Sequence, residues 1–86
     1  MRVVEVKWAD AWISVEDMKL AKAKKLKPVI RSTVGFLVAD KSNCIVLSTD
    51  YYEKGKEINA PMVIPKGMIL DYWEYEDVPR ENKDQE

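Results

Sequence analysis

An all-β domain of five strands, with one short helix between the first and second, is the fold class that this chain of 86 residues predicts. Three observations predict it. Apolar and polar residues alternate with period two in several short runs, as half-buried strands require. The clusters Asp40-Lys41-Ser42-Asn43 and Lys66-Gly67 stand between apolar runs and read as turns. Pro61 and Pro65 lie four apart in an apolar run, the spacing of a strand at a sheet edge.

The first strand covers 3–12, with Val4, Val6, Trp8 and Trp12 on one face and Glu5 and Lys7 on the other. Ser14 then precedes Val15-Glu16-Asp17, the pattern of a helix N-cap with acids in the first turn. A helical insert over about 14–27 follows, rich in Ala, Leu and Lys and ended by Pro28. Residues 29–40 form the second strand, apolar on both faces and therefore central or covered on each side. Gly35 within it predicts a strong bend. The third strand runs from Cys44 to Tyr51, and 53–57 is a polar loop. A fourth strand covers 60–65 and a fifth 68–75, so that 1–75 is one domain and 76–86 a flexible charged tail.

Composition narrows the function classes. A domain this short gains little stability from its own core, and disulfides, a metal or self-association are the usual supplements. A single cysteine excludes an internal disulfide, and the absence of histidine argues against zinc, so no metal and no cofactor is expected. Fourteen basic residues against fifteen acidic ones do not make a general coater of nucleic acid. No apolar run reaches the length of a membrane span, and Arg2, Glu5 and Lys7 stand where a signal peptide is apolar. The chain reads as soluble and cytoplasmic, with no membrane partner.

Assembly is predicted from the last two strands. Pro61 and Pro65 remove donors from one side of the fourth strand, leaving Met62 and Ile64 N–H groups for a single partner on the other. The fifth strand is apolar on both faces, with Met68, Leu70 and Tyr72 against Ile69, Trp73 and Tyr75, a hazard unless covered. Pairing with a neighbouring copy satisfies both, and repeated head to tail it closes a ring. Met62, Val63, Ile64, Leu70, Tyr72 and Trp73 are the candidate interface residues.

Gly35, Leu37, Asp40, Asn43 and Ile45-Val46-Leu47, followed by Val63-Ile64, Lys66-Gly67 and Met68-Ile69, resemble the paired motifs of the Sm-like family over roughly 29–75. That resemblance implies a five-stranded, strongly bent Sm-like or SH3-like barrel, assembled as a homo-oligomeric ring of five to seven copies that holds single-stranded RNA at its pore. The spacing departs from the family: Asp40 and Asn43 each come one residue early, Pro65 precedes Lys66, and the helix follows the first strand instead of preceding it. The Asp-Ala-Trp at 10–12 and Ile-Pro-Lys-Gly at 64–67 also look like small bacteriophage proteins of the same build, which places the chain in a bacterial host's cytoplasm.

Asp40, Asn43, Lys66 and Gly67 are the candidate RNA-binding residues that the resemblance implies. Their ordinary alternative is turn chemistry, with Asp40 and Asn43 bonding nearby backbone. Lys19, Lys22, Lys24, Lys25 and Lys27 spread around a helix as solubilising charges do, and a phosphate-contacting role is the alternative. The aromatics Trp8, Trp12, Tyr51, Tyr52, Tyr72, Trp73 and Tyr75 suit core and interface packing, or an aromatic cage for a methylated lysine. Cys44 lacks an activating histidine, and no catalytic triad or phosphate loop is present, so no enzyme is predicted. A structural or protein-interaction scaffold without nucleic acid is the competing class.

Overall fold

Alternation along the first strand decides where the core lies. Val4, Val6 and Trp8 are buried and turn to one face, while the residues between them are half-buried or exposed. The structure, a computed structural model, describes residues 1–52, 54 and 56–76. Its strands are β1 (Val3–Asp10), β2 (Val29–Asp40), β3 (Cys44–Ser48), β4 (Asp50–Tyr52), β5 (Glu57–Asn59), β6 (Met62–Pro65) and β7 (Ile69–Glu74). A helix α1 (Leu20–Ala23) precedes β2, and a 3₁₀ turn (Lys66–Met68) separates β6 from β7. Five strands form an antiparallel sheet in the order β6-β3-β2-β1-β7, and β4 pairs with β5 separately.

The five expected strands are present in the expected order. The sheet is open, however, with β6 and β7 as its two edges rather than partners of each other. One face carries the core of Val4, Val6, Trp8, Leu37, Ile45, Leu47 and Ile64. The other face is largely uncovered: Val34 and Ile30 of the central β2 are exposed. Trp8 satisfies its indole by donating from Nε1 to Thr33 Oγ1 at 3.0 Å, so a large ring is enclosed without stranding a polar atom.

The third and fourth expected strands are longer than their sequence pattern. Leu47 faces Met62, and three residues on Asp50 faces Asn59, so β3 with β4 and β5 with β6 are one hairpin in a single register. The interruption falls at Thr49 and Ala60–Pro61, where Ala60 takes a positive φ of 43°. Buried Ser48 bridges this break, its hydroxyl lying 2.6 Å from the Asp50 and Asn59 carbonyls. Phe36 packs edge-on against Tyr51 beneath the hairpin, ring centroids 5.1 Å apart. Of the expected 53–57 loop, Glu53 and Gly55 lie outside the described residues, as does the tail beyond Glu76.

Gly35, expected to bend its strand, stands where the Ser48 backbone comes close. A Cβ there would meet the Ser48 carbonyl oxygen at 2.8 Å, inside contact distance. Only a residue without a side chain lets β3 pass at this point.

The expected 14–27 helix is corrected to one turn, Leu20–Ala23, and Ser14 does not cap it. The helix N-cap is Lys19, with no side-chain cap bond. Ser14 instead accepts from the Glu16 N–H at 3.2 Å, closing a local turn. The reason is packing: α1 buries none of its residues, and short helices need a tertiary surface to persist. The 11–28 excursion is fastened at its base, where Trp12 Nε1 donates to the Lys27 carbonyl at 2.7 Å and Arg31 pairs with Asp10 at 2.6 Å. Trp12 thus lies outside β1 and is exposed.

Candidate functional site

Two bulges build a cleft at one end of the sheet. Leu37 faces Leu47, but after a register shift Asp40 faces Ile45, a core residue. One extra residue in β2 therefore turns Asp40 onto the same face as Leu37, which strict alternation would forbid. A second shift lies in β7, where Tyr72 faces Val6 and Ile69 faces Trp8. Leu70 is the extra residue, so Ile69 and Tyr72 also share the core face. Alternation alone places those two on opposite sides.

The result is a cleft of about 350 Å³ lined by Asp40, Ile45, Lys66, Ile69 and Tyr72. It falls at the lower end of the ~300–1,000 Å³ of small-ligand pockets. Lys66 Nζ lies 2.6 Å from Asp40 Oδ1, both side chains being roughly half exposed. Asn43 contributes through its backbone, its carbonyl accepting from the Lys66 N–H at 2.9 Å. Asp40, Asn43 and Lys66 thus come together from the β2–β3 turn and the 3₁₀ turn, with Gly67 beside them. Beyond its two chain neighbours, no atom lies within 4 Å of a Cβ built on Gly67, so open space adjoins the backbone there.

Arg2 and Tyr72 belong to the same end and carry no signal in the candidate RNA motif. Arg2 donates from Nε and Nη2 to Glu74 Oε1 at 2.8 and 2.5 Å. That hydrogen bond, with the attraction of the Glu74 charge, raises the guanidinium pKa, and Tyr72 and Asp40 add smaller attractions. Hydrogen bonding to Arg2 in turn holds the Glu74 carboxyl below the ordinary carboxylate range. On the adjoining face Tyr75 donates to Glu5, which raises the phenol's pKa.

The candidate interface residues divide. Ile64 is fully enclosed in this chain's own core, whereas Met62, Val63, Leu70, Tyr72 and Trp73 are exposed. The Lys66 N–H bond to Asn43 sets the alternation of the β3–β6 ladder. Met62 and Ile64 thereby turn their N–H groups to β3, so the usable side of this strand is occupied within the chain. Its outer side presents the carbonyls of Pro61, Val63 and Pro65 but a single donor, Val63 N–H. On β7, the Tyr75 N–H donates to the Val3 carbonyl at 3.0 Å, so Tyr72 and Glu74 turn outward. Asp71 Oδ1 accepts from the Tyr72 N–H at 2.9 Å and blunts part of that edge.

Other candidates separate in space. Trp8 and Trp12 bond to Thr33 and Lys27, and Tyr75 to Glu5, so these aromatics serve different places. The five lysines sit on the exposed 11–28 excursion. Cys44 is a half-buried free thiol. Among the described residues no acidic, cysteine or histidine cluster could hold a metal, and no helix is long and apolar enough to cross a membrane. The chain matches no protein family, no curated protein and no solved structure.

Proposed function

We propose that this protein is an Sm-like, ring-forming module that binds single-stranded RNA at the end carrying Asp40, Asn43, Lys66 and Gly67, and that it catalyses nothing. One observation carries the reading: two separate turns bring a carboxylate and an ammonium to 2.6 Å at the lip of an apolar cleft. Single-stranded RNA is recognised by splayed bases through edge hydrogen bonds and stacking, which such a lip supplies. An exposed ion pair is worth only about 0–1 kcal/mol to the fold, so both groups are free to serve a ligand at small cost.

The open edges support the assembly. The outward Glu74 N–H of β7 complements the acceptor-rich outer side of β6, and a neighbour's β7 on β6 would complete a closed barrel across copies. Like-with-like pairing of two β6 strands has almost no donors. A heterologous contact of this kind closes a ring when the rotation per copy divides the circle, and the Sm-like resemblance implies five to seven copies.

Fluorescence anisotropy with a short labelled single-stranded RNA tests the ligand, and light scattering tests the ring. The intact protein should bind in a salt-dependent way, and Lys66→Ala should weaken binding about tenfold, the size of one charge-assisted contact. Equal binding by Lys66→Ala and the intact protein sinks the site. The second reading, a scaffold without nucleic acid, is favoured by exposed Met62, Val63, Leu70 and Trp73. It predicts a discrete oligomer that binds no RNA.

A further inference from the structure

We propose that the cleft selects guanine over the other three bases, an inference that rests on the RNA reading and deepens it. Lys66 Nζ lies 2.6 Å from Asp40 Oδ1, and Oδ2 shares the same carboxyl carbon, so the ion pair offers one donor beside two adjacent acceptors. They read as donor, acceptor, acceptor. The Watson–Crick edge of guanine reads as O6 acceptor, N1–H donor, N2–H donor. It is the complement of that set, group by group.

The other bases fail at one position or more. Uracil offers a single N–H between two carbonyls, so the second carboxylate oxygen would face a lone pair. Cytosine and adenine offer an amino group beside an unprotonated ring nitrogen, with the same conflict. A carboxylate accepts two parallel hydrogen bonds only from two adjacent donors, and guanine alone has them on this edge. Charge-assisted bonds of this type are about twice as strong as neutral ones.

The walls suit a flat purine. Ile45 and Ile69 form an apolar floor, and Tyr72 stands beside them with its ring partly exposed. The two bulges matter here, because without them Asp40 and one of Ile69 and Tyr72 would turn away from the cleft. Stacking on Tyr72 is indifferent to base identity, since every base has a π-face. Selection therefore lives in Asp40, and affinity in Tyr72.

The test uses the full-length chain and five short adenosine-rich RNAs that differ at one central nucleotide: guanosine, inosine, adenosine, cytidine or uridine. The guanosine RNA should bind tightest, and inosine, which lacks only the N2 amino group, should be about tenfold weaker. Asp40→Asn should bring the guanosine and inosine RNAs to within about twofold of each other, because its amide replaces one acceptor with a donor. Tyr72→Ala should weaken all five RNAs alike, and Tyr72→Phe should restore them. Equal binding of guanosine and inosine RNAs, or tighter binding of any other base, overturns the guanine assignment and leaves the RNA reading standing. Failure of all five to bind overturns both. Asp40 and Tyr72 are surface residues, and matching melting curves would show that the variants fold.

Discussion

The β1–β2 hairpin and the excursion that leaves its end contain the same kinds of apolar side chain with opposite fates. Val4 and Val6 are wholly enclosed, while Val15 is 96% and Ile13 85% exposed. Hydrophobicity does not separate them. What separates them is the company of neighbouring strands: β1 lies between β2 and β7, and α1 lies against nothing that buries it. Burial here follows from ladder position, and a helix-forming sequence without a ladder or groove collapses to one turn.

The contrast can be broken most strongly at the core. Ile64→Ala should destabilise the fold by about 2–5 kcal/mol in a denaturant titration, because a fully enclosed side chain leaves a cavity. Leu20→Ser, in the exposed excursion, should stay within about 0.5 kcal/mol of the intact protein in the same titration. A comparable loss from both changes would mean that something covers the excursion in solution.

A smaller effect is expected at the crossing of β2 and β3. Gly35→Ala should cost about 1–3 kcal/mol, since the added methyl must displace the Ser48 carbonyl backbone. An unchanged melting temperature would show that the strands can part there freely.

The smallest effect concerns the staple between the N-terminus and β7. Arg2 holds the folded Glu74 carboxyl below its unfolded value, so the ionised pair supports the fold at neutral pH. That support is lost as pH falls below the ordinary carboxylate range and through the depressed folded value. Thermal melts across acid pH should show Arg2→Ala losing part of the acid sensitivity of the intact protein. Superimposable pH profiles would remove the staple from the account.

Much of the sheet was legible in the sequence. Val4, Val6 and Trp8, and Ile45 and Leu47, announce their faces by simple alternation, whereas Gly35, read as a bend, serves the close approach of the Ser48 backbone. The prolines at 61 and 65 place their strand at an edge, as found. The site was legible only in half. Asp40, Asn43 and Lys66 were identified as a group, but nothing in a period-two reading signals an extra residue in a strand. Both bulges therefore escaped, and with them Tyr72 as a wall of the cleft. Arg2 was invisible for a related reason, since its partner Glu74 is distant in sequence and joined only by the β1–β7 pairing. The helix is shorter than its propensity predicts, because no surface is there to bury its apolar side chains.

The two prolines on the outer side of β6 have a consequence for how this chain can fail. Fibrils of the cross-β kind grow when identical segments stack and every N–H finds a carbonyl on the next copy. A strand that exposes three carbonyls and one N–H cannot template itself in that way, whatever its side chains. Exposed Met62 and Val63 are thereby kept from nucleating amyloid, and the same apolar pair stays available for a partner of a different shape.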